Sequence, residues 1–159
     1  MLLVKTLVLI ALANFSPILL RKLLGQRCSM PVDGGLTLKD GYRLLGDSKT
    51  IRGVISALVL VSLVGGLLGF SLFFSAMIAL LAMVGDLLSS FIKRRRGLMS
   101  SERAFGLDQL PESVLPLLFA FVVGVISFYQ VLLGAVVFFC FAVWISPLLF
   151  WLGIRARPY

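Results

Sequence analysis

Two long uncharged stretches constrain the fold of this chain more than any other feature. Residues 54–92 contain a single charge, Asp86, and residues 114–153 contain none. A helix needs about 20 apolar residues to cross the ~30 Å hydrocarbon core of a bilayer, so each stretch is nearly twice the length of one span. Each is therefore expected to fold back once, and residues 2–20 add a further apolar segment. The sequence predicts an all-α integral membrane protein with five transmembrane helices.

Local composition predicts where the two stretches turn. Residues 65–71 are rich in glycine, and residues 128–130 combine aromatic and amide groups that suit the membrane interface. The 159 residues are predicted to form a single transmembrane domain. Its helices are expected over about residues 2–20, 54–69, 71–92, 111–128 and 131–153, and its two polar loops over about residues 21–53 and 93–113.

The charged residues gather at one end of these helices. Of the 15 basic and 7 acidic residues, all except Lys5 lie in or near the two loops and the C-terminal tail. Basic residues concentrate on the cytoplasmic side of membrane proteins. We therefore predict a multi-pass protein of the cell (inner) membrane, with both loops and the C-terminus in the cytoplasm and the N-terminus outside.

Composition also argues against several classes of function. The net charge of +8 attracts anionic lipid headgroups, which by itself accounts for Arg21, Lys22 and Arg27. Nucleic acid is not an expected partner, because no soluble domain presents a basic face and no aromatic platform lies among the loop charges. The chain has no histidine, and its two cysteines, Cys28 and Cys140, lack a useful spacing, so covalent and zinc chemistry have few candidates.

Asp86 is the strongest single indication of a functional site. It lies seven residues before Lys93, which places it about 10 Å deeper than the basic end of a continuous helix. A carboxylate at that depth is costly unless it is paired, hydrated or bound to a metal. Ser89, Ser90 and Lys93 follow at i+3, i+4 and i+7, so the four residues share one face, which we expect to line a polar cavity. The alternative is an ion pair of Asp86 with Lys93 or a loop arginine that merely closes the bundle.

A second polar cluster, residues 40–53, directly precedes the second helix. Ser48 or Thr50 can cap that helix, and Lys49 and Arg52 add cations beside its positive N-terminal end. Such a place attracts phosphate. It is not a Walker A loop, because the Gly-Lys-Ser/Thr sequence is missing and no strand precedes it. An ordinary capped helix entry with flanking charges is the alternative.

A third cluster, residues 108–113, lies where the chain re-enters the membrane. Pro111 suits the first turn of a helix, although capping alone would also account for Glu112. Together with Asp86, Asp108 and Glu112 provide the oxygen ligands that hold Mg²⁺ along with substrate phosphates. Cations for phosphate and carboxylates for a hard metal, at headgroup depth, suit phosphoryl or nucleotidyl transfer onto a membrane lipid.

The order of these motifs resembles the CDP-archaeol synthase family over essentially the whole chain. The motifs are Asn14-x-x-Pro17, Pro31-x-Asp33-x-Gly35, Asp40-Gly41-x-Arg43-x-x-Gly46-x-Ser48-Lys49-Thr50-x-Arg52-Gly53, Gly85-Asp86-x-x-Ser89-Ser90-Phe91-x-Lys93-Arg94-Arg95-x-Gly97, and Asp108-Gln109.

The resemblance implies a CTP-dependent cytidylyltransferase that converts a membrane lipid phosphate to a CDP-lipid and pyrophosphate with Mg²⁺. In the family the acceptor is digeranylgeranylglycerol phosphate; apolar helices alone do not distinguish it from a phosphatidate-like lipid. The resemblance further implies catalytic roles for Asp86, Lys93 and Asp108, with the metal on both aspartates and Glu112 as a third candidate. Contacts to nucleotide and phosphate are expected from Arg43, Lys49, Thr50, Arg52, Ser89, Ser90 and Arg94.

Departures from related families narrow this interpretation. The larger CDP-diacylglycerol synthases carry a Lys-Asp pair and a further aspartate where this chain has residues 99–102 and Pro111. This favours the small archaeal-type branch and puts a two-metal arrangement in doubt, unless Glu112 substitutes. A CDP-alcohol phosphatidyltransferase is a rival, but Asp40-Gly41 is followed by Tyr42-Arg43 instead of that family's motif. The other rival is a non-catalytic channel or assembly subunit.

Overall fold

The computed structural model describes residues 1–100, 102 and 104–153. It contains five helices: α1 (Leu2–Leu24), α2 (Ile51–Leu67), α3 (Leu72–Arg95), α4 (Leu110–Val122) and α5 (Phe128–Trp151). Within that part of the chain, extended pairing is limited to isolated bridges of Pro31 with Thr50 and of Thr37 with Arg43. The predicted all-α fold class is confirmed.

Among the described residues, three helices are long and apolar enough to cross a membrane: α1, α3 and the segment Phe128–Leu148 of α5. The other two, α2 and α4, are shorter apolar helices of 17 and 13 residues. At 1.5 Å per residue α4 is only about 20 Å long, which is less than the ~30 Å hydrocarbon core.

Contacts at the helix ends show that consecutive helices run antiparallel. At one end the ammonium of Lys5 on α1 donates a 2.8 Å hydrogen bond to the carbonyl of Leu68, just after α2. This cation lies where the helix dipole is negative. At the opposite end Pro17 of α1 lies so close to Gly53 of α2 that a Cβ added there would meet the proline ring at 3.1 Å. This alternation gathers the charged helix ends on one side of the bundle.

Small residues form much of the interface between helices. Ala13, Ala57, Ala79, Ala82 and Ala120 are all fully buried, on α1 to α4. In a membrane, lipid tails are as apolar as the core, so helices associate through close packing rather than through exclusion of water. Larger side chains that are also fully buried fill the remaining space: Leu9, Ile10, Val61, Ile78 and Leu117.

The turn predicted at residues 128–130 is wrong. These residues form the first turn of α5, and the chain reverses over residues 123–127 instead. Ser127 caps α5 in a capping box with Gln130, whose side chain accepts a hydrogen bond from the Ser127 N–H at 2.8 Å. The amide of Gln130 therefore serves the helix cap that defines the start of α5. The turn predicted within residues 65–71 is confirmed, since α2 ends at Leu67 and α3 begins at Leu72.

The other helix bounds differ from the prediction by a few residues. The first and third helices end at Leu24 and Arg95 instead of residues 20 and 92. Both extensions carry basic residues in the last turn, where a cation stabilises the helix dipole. The second helix begins at Ile51 instead of residue 54, and the fourth ends at Val122 instead of residue 128.

Candidate active site

A large cavity of about 1010 Å³ opens at the charged end of the bundle, between α1, α3, α5 and the two loops. One part of its wall is polar and the other is apolar. The charged residues that line it are Arg21, Lys22, Lys49, Asp86, Lys93, Arg94, Glu102, Asp108 and Glu112. Its apolar wall includes Val8, Ala11, Leu12, Phe15 and Ile18 on α1, Met83 and Leu87 on α3, and Phe138, Phe141, Ala142 and Ile145 on α5.

Asp86 on α3 is paired with Lys49 from the first loop. The ammonium of Lys49 lies 2.6 Å from both carboxylate oxygens. The next residue, Thr50, caps α2 by accepting a 3.3 Å hydrogen bond from the N–H of Gly53. The same cap that begins α2 therefore positions Lys49 against α3. The ion pair between Asp86 and Lys93 that the sequence left open is not formed.

Lys93 instead pairs with Asp108. Its ammonium lies 2.7 Å from Asp108 Oδ1 and also donates to the carbonyl of Glu102 at 3.0 Å. The second oxygen of Asp108 accepts from the N–H of Ala104 at 2.8 Å. Lys93 is almost completely buried. This second ion pair therefore ties the end of α3 to the loop that leads into α4.

Arg94 is a buried cation in the same wall. It is 5% exposed, and one of its guanidinium nitrogens donates to the carbonyl of Met99 at 2.8 Å. Its Nε atom is buried and has no hydrogen-bond partner within the described part of the chain. Because guanidinium groups bind phosphate through several donors, Arg94 is well placed to hold an anionic ligand.

The polar stripe predicted on α3 is present in part. Asp86, Ser90 and Lys93 line the cavity. Ser89 is not among the lining residues; it is buried, and its hydroxyl donates to the carbonyl of Gly85 at 2.9 Å. Spacing in the sequence did not show which of the two serines lines the cavity, because both lie about one turn from Asp86.

Gly85 sets the distance between the two helices that carry the aspartates. A Cβ added at Gly85 would lie 2.3 Å from the carbonyl oxygen of Pro111 at the start of α4. Only a glycine permits this approach of two backbones. The contact fixes Asp86, the next residue on α3, relative to Asp108, which lies just before α4.

The first loop folds around Asp33. Its side chain is inaccessible, and one oxygen accepts from the guanidinium of Arg43 at 2.6 Å while the other accepts from the N–H groups of Leu45 and Gly46 at 2.9 and 3.0 Å. Burial alone would raise the pKa of the Asp33 carboxyl. The hydrogen bonds from Arg43, Gly46, Leu45 and Gly35 outweigh burial and hold this pKa far below its usual range.

Besides Ser89, two of the predicted phosphate ligands, Arg43 and Arg52, lie outside the cavity wall. The side chain of Arg43 pairs with Asp33 and with Asp47, and the hydrogen bond that it donates to Asp33 raises the pKa of Arg43. Arg52 is directed toward the end of α1, where its guanidinium donates to the carbonyls of Gly25 and Arg27. Both arginines thus stabilise the first loop in this structure.

Carboxylates for a metal lie in one cavity, but each is already engaged. Among the described residues, no group of three or more acidic, histidine or cysteine side chains is close enough to hold a metal ion. Asp86, Asp108 and Glu112 nevertheless line the same cavity. Mg²⁺ usually takes one or two protein carboxylates and completes its shell with water and substrate phosphates. The donors therefore fit a Mg²⁺ that arrives with phosphate ligands.

Several residues of the cavity wall did not stand out in the sequence. Arg21 and Lys22 line the cavity, whereas the sequence alone accounts for them by attraction to anionic lipid headgroups. Ser100 also lines it, and its hydroxyl donates to Ser48 at 3.2 Å, which joins the two loops. In the sequence, Arg21 and Lys22 follow Pro17 and lie on the same helix face as Asn14. This shared face is the feature that could have placed them in the cavity wall. Ser100 gave no signal, because its position depends on how the second loop folds.

Comparisons with known proteins identify relatives over nearly the full chain. A family model described as CarS-like, CDP-archaeol synthase, matches residues 1–159. The chain is 38% identical over 157 residues to the CDP-archaeol synthase of Pyrococcus furiosus, covering 92% of this chain and 85% of that protein. It is 37% identical over 150 residues to that of Thermococcus kodakarensis, covering 87% and 80%.

A solved structure has the same fold. It is described as an intramembrane enzyme for archaeal membrane lipids biosynthesis, and it superposes with a TM-score of 0.70 at 30% sequence identity. The match covers 88% of this chain and 89% of that one.

Proposed function

Because the chain belongs to the CDP-archaeol synthase family, we propose that it transfers the cytidylyl group of CTP to an archaeal-type lipid phosphate. The products are a CDP-lipid and pyrophosphate, and the expected acceptor is digeranylgeranylglycerol phosphate. The observation that carries the proposal is a cavity whose polar wall holds five basic and four acidic side chains and whose other wall is apolar. Such a cavity suits a charged nucleotide and a lipid together.

The triphosphate of CTP is assigned to the basic side chains at the mouth of the cavity. Lys49, Lys93 and Arg94 come from two different elements and line one cavity. Arg94 keeps a buried donor unpaired, and the two lysines can exchange their carboxylate partners for phosphate oxygens. Electrostatic complementarity of this kind, prepared before the substrate binds, is the main source of catalysis in phosphoryl transfer.

The lipid phosphate is assigned an approach from the side of the membrane. In the described part of the chain the backbone of α5 lies close to α4 and α1 but not to α2 or α3. The apolar part of the cavity lies between α1, α3 and α5. Lipid chains would therefore rest against apolar side chains of α1 and α5 while the phosphate reaches the cations.

The reaction requires an in-line displacement at phosphorus. An oxygen of the lipid phosphate forms a bond to the α-phosphorus of CTP, and the bond from that phosphorus to the bridging oxygen of pyrophosphate breaks. The leaving pyrophosphate carries the negative charge, which Lys49, Lys93 and Arg94 are placed to neutralise. Positioning and charge stabilisation are sufficient for such a step, since no covalent enzyme intermediate is needed.

Mg²⁺ is proposed as the cofactor, held by Asp86 and Asp108 with Glu112 as a further candidate. When bound it would neutralise phosphate charge in the transition state. For this the aspartates must release their lysine partners, and those lysines then become available to phosphate. The carboxylates that are paired in the free protein would then bind the metal, and the ammonium groups would bind the phosphates.

The charged end of the bundle is proposed to face the cytoplasm, where CTP is available. Of the twelve basic residues that the structure describes, eleven belong to the loops and helix ends of that side, as the positive-inside rule expects of cytoplasmic segments. Arg103 and the C-terminal residues 154–159 lie outside the described residues.

The test is incorporation of radiolabelled CTP into lipid by the purified protein with Mg²⁺. Phosphatidic acid and the unsaturated archaeal ether lipid phosphate are offered side by side, and Asp86→Asn is the matched control variant. A labelled CDP-lipid from the ether phosphate that depends on Asp86 supports the proposal. Absence of product from both lipids, in wild type and variant alike, would overturn it and favour the non-catalytic alternative.

A further inference from the structure

The side-chain amide of Asn14 on α1 does not contribute a hydrogen bond to the described part of the fold. Both atoms of its amide, Oδ1 and Nδ2, are buried and have no hydrogen-bond partner in the described part of the chain. Asn14 also lines the cavity. An amide in an apolar surrounding without a partner is destabilising, so its presence in the wall of a ligand cavity needs an explanation.

A purely structural role for this amide is not supported by its neighbours. Pro17 has no N–H and therefore leaves the carbonyl of Ala13 without its helical donor. The hydroxyl of Ser16 takes that place, at 3.3 Å from the Ala13 oxygen. The proline site of α1 is thus satisfied locally, and the Asn14 amide is not needed there.

Asn14 lies below the charged end of the cavity, with apolar lining residues on both sides of it along α1. Asn14 lies seven residues before Arg21 on α1, as Asp86 lies seven residues before Lys93 on α3. Because α1 and α3 run in the same direction, both residues lie about 10 Å below the basic ends of their helices. Ala11, one turn deeper than Asn14 on α1, and Ile18, one turn nearer the charged end, both belong to the apolar wall.

The cavity provides a group for each part of a glycerol lipid phosphate. Such a lipid has a phosphate, the oxygens that link glycerol to its two chains, and the chains. The cavity has the cations of Lys49 and Arg94, the amide of Asn14 and apolar side chains. We propose that Asn14 binds the lipid acceptor, its Nδ2–H donating to a linkage oxygen of the glycerol.

This inference rests on the proposed function and specifies how its acceptor is recognised. An ether or ester oxygen next to the glycerol is an acceptor only, so it matches the donor of an amide. The other hydrogen-bonding ligand that the proposed reaction brings to the cavity is CTP, through its cytosine base and its ribose hydroxyls. The apolar side chains around Asn14 favour the lipid, and the experiment includes the base as a competing outcome.

The test is equilibrium binding to the detergent-solubilised full chain, which needs no turnover. The dissociation constants of the unsaturated glycerol diether phosphate, its diester counterpart and CTP are measured for the wild type, Asn14→Leu and Thr6→Val. Leucine resembles asparagine in shape without its polar atoms. Thr6 is a matched control on the same helix, because it is buried, lies outside the cavity wall and bonds the carbonyl of Leu2 at 3.0 Å.

The expected result is a loss of about tenfold in lipid affinity for Asn14→Leu, with CTP affinity unchanged. Thermal stability without ligand should be maintained or increased, because the variant removes an unpartnered buried amide. A similar loss of affinity for both lipids means that the amide binds an oxygen common to ether and ester linkages. A loss of affinity confined to the diether means that the amide recognises the ether linkage.

Three results would overturn the inference. They are unchanged lipid affinity in Asn14→Leu, weakened CTP binding in place of lipid binding, or a fall in the unliganded stability of Asn14→Leu. Failure of the proposed function is seen separately, since the wild type would then bind neither lipid before any variant is compared.

Discussion

The ammonium of Lys49 lies 2.6 Å from both carboxylate oxygens of Asp86. The two residues belong to different parts of the chain, the first loop and the third helix, and each is about one-quarter exposed or less. In the resting cavity each charge compensates the other. Under the proposed function, binding of a triphosphate and a divalent cation would replace this one pair by two new ones, so the pair is proposed to have both a structural and a functional role.

The two roles can be separated by replacing the residues singly and together. Lys49→Met and Asp86→Asn each leave one partly buried charge unpaired, so each single variant should melt a few degrees lower than the wild type. The double variant leaves no unpaired charge and should recover most of the loss. Thermal unfolding of the four proteins gives the coupling. If the two losses in melting temperature simply add in the double variant, this would contradict a structural role for the pair.

Activity should not recover in the same double variant. If Lys49 contacts phosphate and Asp86 the metal, the rate of CDP-lipid formation should fall at least about 100-fold in each single variant and remain low in the double. Initial rates at saturating CTP and lipid are the measurement. Asp47→Asn is the control, because Asp47 is an exposed partner of Arg43 outside the cavity wall. Restored activity in the double variant would restrict the pair to a structural role.

Gly85→Ala should separate α3 from α4. The added methyl group would meet the carbonyl oxygen of Pro111 at 2.3 Å, so the helices must move apart and Asp86 must shift relative to Asp108. We expect a loss of thermal stability and of most CDP-lipid formation. Gly66→Ala on α2 is the matched control, since a Cβ there meets nothing within 4 Å, and it should be neutral or slightly stabilising. Equal behaviour of the two variants would contradict the role of the contact.

Asp33 should make the stability of the first loop depend on acid pH. Its pKa is lowered in the folded protein, so its contribution is complete above the unfolded pKa of about 3.9. The contribution then decreases as the pH falls from there toward the folded pKa. The difference in melting temperature between wild type and Asp33→Asn should be constant from about pH 5 to pH 8 and narrow below about pH 4. A difference that is constant down to pH 3 would contradict this assignment.

Removal of divalent cations should abolish CDP-lipid formation, and added Mg²⁺ should restore it. In Asp108→Asn the Mg²⁺ concentration for half-maximal activity should rise, by about tenfold or more. A Mg²⁺ titration of the wild type, Asp108→Asn and the Asp47→Asn control measures this effect. Full activity after chelation would exclude the metal from the mechanism, whereas an unchanged half-maximal concentration in Asp108→Asn would remove Asp108 from the metal ligands.

Hydrophobicity along the chain was sufficient to predict the helices. A bilayer leaves a chain few options, because every backbone polar group must be satisfied within the segment itself. Five helices and two polar loops followed from the uncharged stretches around Asp86 and after Ser113. The turn before α5 was placed incorrectly because Gln130 was interpreted as an interfacial residue, whereas Ser127 and Gln130 form a helix cap. A capping box consists of two polar residues three positions apart. This short pattern is easily overlooked inside a long apolar stretch.

The charges of the site were also visible in the sequence, but their partners were not. Spacing along α3 brought Asp86, Ser90 and Lys93 onto one face, since helical periodicity is a local property. The pairing of Asp86 with Lys49 and of Lys93 with Asp108 depends on how two loops fold over the helix ends. Arg43 and Arg52 carry the same charge as Lys49 in the same segment, and only the tertiary structure directs Lys49 into the cavity while the two arginines stabilise the loop. Sequence determines which charges are available, whereas long-range contacts decide which of them meet.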